Sequence, residues 1–365
     1  MTDTAPDGAV PAAIDDTDVF LCGTVFLDIV FTGMLNAPSG GHEVWTDGMG
    51  SSPGGAANLA VACSRLGLRT ALAAAFGGDV YGDFCWSLLE DSERIDLSHS
   101  RRFEGWHSPV TVSLAFDDDR AMVTHAHEAP VSMNELASNP PASRVCCVEV
   151  DSERPLWLDD VIASGSLVFA DTGWDPSETW DVVRLRERLK GVHAFVPNAI
   201  EAMAYTRTST PGEALEAMRD WVPLAVVTTG SGGAFGADNT TGETAWAPGV
   251  PVDALDPTGA GDVFLAGLVV ATLKDWPLQQ RLRFANLCAA LSVRDFGGAL
   301  AAPGWGEVAK WWSEARTSPR MARDYAFLDD VIPSESPRAV SRASATIGLR
   351  PLLPQAPDPS AERKP

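Results

Sequence analysis

The chain has 365 residues, 45% hydrophobic and 21% charged, enough for one large α/β domain or a main domain with a small accessory one. Its formal net charge of −22 argues against nucleic acid and anionic membranes as partners. No apolar run approaches the ~20 residues of a membrane span. The acidic, Ala- and Pro-rich start carries no basic-then-apolar signal, so a cytoplasmic protein is expected. Cys22, Cys63, Cys85, Cys146, Cys147 and Cys288 show no metal or disulfide spacing and read as buried free thiols.

In chain order, residues 1–17 read as a disordered leader. Residues 19–31 form an apolar, strand-like run interrupted by Asp28. Residues 32–53 are rich in Gly, Pro and Ser, with short β-like pieces at 42–46. Helix spacing over 56–66 stops at Gly67, a short strand follows at 70–76, and residues 84–89 begin another helix. Residues 110–116 alternate like a half-exposed strand, turn through Asp117–Arg120 and return over 121–124, which predicts a hairpin. Apolar strands at 145–150, 167–171, 194–197 and 225–229 then alternate with helices, the pattern of a mostly parallel sheet covered on both faces. The expected fold is therefore an α/β core with a small β lid from about 32–53 and 107–127. After about residue 315 the composition shifts to Pro, Ser and Arg; one short helix is expected at 325–332, and the rest of 316–365 reads as a disordered tail.

The stretch Asp256-Pro257-Thr258-Gly259-Ala260-Gly261-Asp262 joins a strand-like approach at 247–255 to a long apolar helix at 263–273. Such a glycine turn into a helix is an anion site, because free N–H groups of the first turn and the helix dipole favour negative charge there. A carboxylate beside it, Asp262, repels an anion, so a structural role is hard to supply. A base that takes a proton from an attacking hydroxyl fits.

With Gly54-Gly55-Ala56-Ala57-Asn58-Leu59-Ala60 and Gly77-Gly78-Asp79-Val80-Tyr81-Gly82 upstream, the chain resembles the ribokinase-like carbohydrate kinases of the phosphofructokinase B type from about residue 19 to 308. The resemblance implies a three-layer α/β/α domain over 18–315 that transfers the γ-phosphoryl group of ATP to a hydroxyl of a small sugar or nucleoside. It makes Asp262 the base and the N–H groups of Gly259, Ala260 and Gly261 the anion hole. It places the acceptor on Asp28, Gly54, Gly55 and Asn58. On the nucleotide side it implies Thr228, Gly230 and Gly233 at the phosphates or ribose and Asn286 on the adenine-pocket helix. Asn198 and Glu201 would position Mg²⁺ and its waters. A monovalent cation such as K⁺ would take the Asp256 side chain and the Thr258 backbone. A homodimer through the β lid also follows from the resemblance.

Each residue has a plainer alternative. Asp28 can end a strand or face solvent, and Gly54, Gly55 and Asn58 can be a turn with a helix cap. Asn198 followed by Glu201 is close to a capping box, and both readings can hold together. Gly230 and Gly232 make a weak dinucleotide fingerprint, and Asn286 can be a surface residue. His125 and His127 are an H-x-H pair without evident further ligands. Trp45 and Trp106 fall in the lid and could cover a sugar ring. Asp171-Thr172-Gly173-Trp174-Asp175-Pro176 departs from the family's Asp-Pro-Asn with a following Arg. Only His42, Arg101 and Arg102 offer positive charge near the acceptor, which leans towards an unphosphorylated substrate. The rivals are a non-catalytic sugar- or nucleotide-binding regulator on the same fold and a nicotinamide dehydrogenase; the second lacks its glycine fingerprint after the first strand.

Overall fold

Alternating burial along short apolar strands builds the centre of the molecule. In β1 (Thr17–Cys22), Val19 and Leu21 enter one hydrophobic cluster and Phe20 the other, on the opposite face. In β9 (Ser143–Glu149), Val145 and Cys147 divide from Cys146 and Val148 in the same way. Side chains that alternate between two dry faces require helices on both sides. This computed structural model describes residues 17–334 except 35, 47, 117–118, 151–152, 174 and 176. The leader and residues 335–365 of the expected tail lie outside the described residues.

The other strands are β2 (Val25–Met34), β3 (Gly48–Gly55), β4 (Thr70–Ala73), β5 (Ala75–Gly77), β6 (Arg101–Phe103), β7 (Val110–Phe116), β8 (Asp119–His125), β10 (Leu167–Asp171), β11 (Ala194–Phe195), β12 (Leu224–Thr228), β13 (Ala234–Asp238) and β14 (Glu243–Ala247). The main sheet runs β14-β13-β12-β11-β10-β9-β1-β4 and is parallel from β12 to β4, with β13 and β14 antiparallel. One face is covered by α1 (Ala56–Arg65), α8 (Ala260–Leu273), α9 (Leu278–Ser292) and α10 (Trp305–Ala315). The other is covered by α4 (Leu158–Ala163), α5 (Val182–Arg188), α6 (Ala199–Thr206) and α7 (Pro211–Met218). Short helices α2 (Val80–Ser87) and α3 (Met133–Leu136) lie between, and α11 (Pro319–Asp324) and α12 (Leu328–Val331) follow. The three-layer α/β expectation holds.

Helix α8 is buried continuously from Val263 to Thr272, so it is apolar all round rather than striped. Gly267 lets it approach α9, since a Cβ there would lie 2.9 Å from Ala285 Cα. This central packing anchors the turn from which α8 starts.

The lid is a second sheet in the order β3-β2-β7-β8. It begins at Val25, earlier than expected, because residues 19–31 are two strands in two sheets. Asp28 therefore belongs to the lid and not to the core. Likewise 70–76 divides into β4 and β5, and residues 42–46 form no strand. The helix expected from 84 starts at Val80, where the Asp79 side chain accepts from Gly82 N–H. The 247–255 approach contains no strand; β14 ends at Ala247. The fold also continues past the expected boundary at 315. Tyr325 and Leu328 are buried in the core, and Trp312 Nε1–H donates to Asp329 at 2.8 Å.

Among the described residues no helix is long and apolar enough to cross a membrane.

Candidate active site

Strand β1 lies between β4 and β9, so the chain leaves it in one direction and the rest of the sheet extends in the other. Such a switch point opens a crevice at the carboxyl ends of parallel strands. Four polar side chains line that edge in spatial order: Glu149 ends β9, Asp171 ends β10, Asn198 follows β11 and Thr228 ends β12. Asp171 stands opposite Glu149 in the ladder, and Asn198 pairs with Thr228. Burial, with the charge of Glu201 next, pushes the Asp171 carboxyl well above its ordinary range.

The turn expected to bind anions starts α8. Gly259 is its N-cap at φ +74°, a left-handed conformation that favours glycine. No side chain caps this helix. Ala260 N–H is not a free member of the expected anion hole, because it donates to Pro257 O at 3.2 Å. The N–H groups of Gly259 and Gly261 have no protein acceptor among the described residues. A Cβ at Gly261 would meet nothing within 4 Å, so a ligand can approach there.

Asp262 lies on the first turn of α8 and is half-buried. Asn58 Nδ2–H, from α1, donates to its Oδ2 at 3.2 Å. Burial pushes the Asp262 carboxyl up to about 7, the charges of Glu149 and Asp28 add to this, and the Asn58 hydrogen bond opposes it. A carboxylate poised near neutrality beside an anion turn suits a general base.

Asp28 comes from the lid strand β2, opposite Ser52 of β3. Its carboxylate lies across Gly54, where a Cβ would sit 1.8 Å from Oδ2. Burial first, and the charge of Asp256 second, raise it to about 7. Gly54 and Gly55 are the end of β3 rather than a free turn. Gly54 makes room for Asp28. Gly55, at φ +62°, would otherwise meet Thr24 O at 2.4 Å. Both glycines make room for close neighbours in the strand and do not form a flexible turn.

On the nucleotide side, Asn198 and Glu201 complete a capping box on α6. Asn198 Oδ1 accepts from Ile200 and Glu201 N–H, and Glu201 Oε2 accepts from Asn198 N–H. Burial raises the Glu201 carboxyl, and the Asn198 hydrogen bonds oppose the rise. Thr228 N–H donates to Pro197 O at 3.1 Å, which joins this cap to the loop after β12. Gly230, at φ +56°, has open space where a Cβ would be. Gly233, at φ +94°, packs instead on Ala247 O. Asn286 is buried and its Nδ2 donates to Ala247 O and Pro248 O. These hydrogen bonds fasten the wall of this region.

Asp256 locks two loops together. Its Oδ1 accepts from Thr258 N–H at 2.9 Å and its Oδ2 from Gly297 N–H at 3.1 Å. Trp106 is drawn off the lid: its Nε1–H donates to Glu128 O. Trp45 is 84% exposed. Arg102 pairs with Asp83 at 2.6 Å and lies over Trp86, so its charge is already partnered. His125 and His127 bring their Nε2 atoms 3.3 Å apart. Among the described residues no group of three or more His, Cys, Asp or Glu could hold a metal ion.

Sequence reasoning missed Glu149 and the Gly297-Gly298 turn. A carboxylate ending an apolar strand was the available signal for the first, as it was for Asp28. A glycine pair after a long apolar helix was the signal for the second.

A glycine-started helix at the sheet's switch point, with a carboxylate in its first turn, forms a candidate anion site on a doubly wound α/β fold. Residues 158–304 match the model for the pfkB family carbohydrate kinases, a family of phosphotransferases. It is 25% identical over 261 residues to a pseudouridine kinase of Escherichia coli, covering 66% of this chain and 80% of that one. It is 28% identical over 305 residues to a ribokinase of Bacillus subtilis, covering 80% and 98%. A putative ribokinase II of E. coli, solved with ATP and Mg²⁺, shares the fold at a TM-score of 0.66 and 19% identity, over 82% of this chain and 99% of that one.

Proposed function

We propose that the protein transfers the γ-phosphoryl group of ATP to a hydroxyl of an unphosphorylated sugar or nucleoside. The observation that carries this is Asp262, held by Asn58 at the start of α8 with Asp28 facing it from the lid. The acceptor hydroxyl gives its proton to Asp262 while its oxygen attacks the γ-phosphorus in line. Gly259 and Gly261 N–H groups stabilise the charge gathering on the transferred oxygens. Asp28 accepts a hydrogen bond from a second hydroxyl. The lid strands β2 and β3 cover the acceptor and exclude water that would otherwise hydrolyse ATP.

Glu201, Asn198 and Asp171 offer hard oxygen donors at the edge where the phosphates would lie, a set that suits Mg²⁺. When bound, Mg²⁺ supplies charge neutralisation on the phosphates. Asp256 and the Thr258 backbone remain the proposed place for K⁺.

The acceptor side carries Asp28, Asp256, Asp262 and Glu149, while Arg102 is paired elsewhere. That surplus of carboxylates disfavours a sugar phosphate and supports a neutral acceptor. Similarity to both a ribokinase and a pseudouridine kinase supports keeping sugars and nucleosides as one class. Exposed Met49, Met122 and Val123 on the lid's edge strands support a homodimer through the lid.

The deciding experiment is a panel of sugars and nucleosides assayed with ATP and Mg²⁺ for ADP release. The proposal stands if a neutral acceptor turns over. It fails in favour of a regulator if ATP binds and no acceptor is phosphorylated.

A further inference from the structure

The Asn58 amide has two ends with different fates. Nδ2 donates to Asp262 Oδ2, and Oδ1 is buried with no hydrogen-bond partner among the described residues. The side chain is 5% exposed. It is wedged between two left-handed glycines that belong to different loops. A Cβ at Gly259 would lie 3.2 Å from Asn58 Cγ, and one at Gly298 would lie 2.9 Å from Oδ1. Gly298 is at φ +46°. Its neighbour Gly297 is tied to the catalytic turn through Asp256. The same loop is tied to α1 by Arg65, whose Nη1 donates to Leu300 O and Ala302 O.

We infer that Asn58 is a positioning residue for Asp262, its amide clamped between the Gly259 and Gly298 turns so that its N–H end aims the base's carboxylate. The inference rests on reading Asp262 as the base. The orientation of the amide has a physical reason. An ionised carboxylate rejects the amide oxygen, so Nδ2 faces it and Oδ1 is left against Gly298. A buried acceptor without a partner is costly, and it is tolerated where a network serves a site.

The groups around Asp262 make the donor matter. Glu149 at the end of β9, Asp28 on the lid and Asp171 at the end of β10 are acidic, and the Cys63 and Cys147 thiols are also near. The charges of Glu149 and Asp28 disfavour the ionised base, and the Asn58 N–H acts in the other direction. Removing it raises the proton affinity of Asp262, so the acid limb of activity moves to higher pH.

The test compares wild type, Asn58→Leu and Gly298→Ala. Rates are taken against pH with ribose or uridine, whichever is turned over, and Asp262 is titrated by carbon-13 NMR, its signal identified by its loss in Asp262→Asn. In Asn58→Leu the acid limb and the NMR titration should both rise by about one pH unit. Turnover should fall about tenfold below the limb and recover above it, with little change in acceptor KM. Gly298→Ala presses on Oδ1 from the opposite side and should shift both in the same direction; it carries the test if the leucine variant does not fold. An unmoved limb and titration, with a rise in acceptor KM alone, would make Asn58 a sugar ligand and overturn the inference. Full turnover by Asp262→Asn would instead remove the base itself, and the positioning role with it.

Discussion

Helices α6 and α8 both carry an acidic residue at the third position of their first turn, and the two residues do different things. In α6 the N-cap is Asn198, whose side chain caps the helix, and Glu201 returns the hydrogen bond. The carboxylate is occupied by its own helix. In α8 the N-cap is Gly259, which has no side chain, and no capping box forms. Asp262 is left to face the cleft, and its side-chain donor comes from Asn58, 204 positions away in sequence. A helix start becomes a chemical site when its cap leaves the N–H groups and the first-turn carboxylate unspent.

The sharpest way to break this contrast is Asp262→Asn. Losing a general base should lower turnover by ~10²–10⁴-fold, while thermal unfolding shows equal or greater stability because a strained charge is gone. A variant with wild-type kcat would place the chemistry elsewhere. The matching change at α6, Glu201→Gln, keeps a side chain able to accept from Asn198 N–H and should alter unfolding little.

Next in size is the pH response. Asp262 and Asp28 are both raised to about 7. A base must be ionised, so kcat/KM should climb with pH up to about 7 and then level. Stability runs the opposite way. A raised carboxyl contributes stability that is full below the ordinary carboxylate range and is lost as pH rises through its folded value. These two groups should therefore make the protein more resistant to urea at pH 5 than at pH 8, a difference that Asp262→Asn reduces. Parallel pH dependence of rate and stability would contradict the assignment.

Gly54→Ala tests the lid side. The backbone there is extended and accepts alanine, yet the methyl would fall 1.8 Å from Asp28 Oδ2. The carboxylate must swing away, and the acceptor KM should rise about tenfold while ATP binding is unchanged. Equal KM for the acceptor would remove Asp28 from the substrate site.

The smallest effect is expected from Asn198→Ala. Losing the cap should cost about 1 kcal/mol, read by urea unfolding. A much larger loss of turnover than of stability would show that the pair also serves the nucleotide.

Much of this site could be read from the chain itself. The glycine turn, the helix it starts and the Asn198–Glu201 pattern are local features, set by hydrogen bonds and dihedrals within a few residues. The strands of the parallel sheet were equally legible, because burial on both faces imposes continuous apolar runs. Boundaries were less so. Residues 19–31 hold two strands that enter different sheets, and an apolar pattern has no mark for that division. A short helix at 325–332 was legible, but α11 at 319–324 read as tail because its composition is polar, and its ties to the core run through Met321 and the following Tyr325.

The sequence by itself determined that an anion turn with an adjacent carboxylate would stand before a buried helix. Only the tertiary structure decided what that carboxylate meets. Asn58 reaches Asp262, Asp28 crosses the lid to Gly54, and Asn286 turns to the backbone of Ala247 and Pro248 because the topology brings those elements together. Such contacts join residues tens to hundreds of positions apart, and neither periodicity nor local capping encodes them. The carboxylate is written in the chain, and the amide that meets it is placed by the fold.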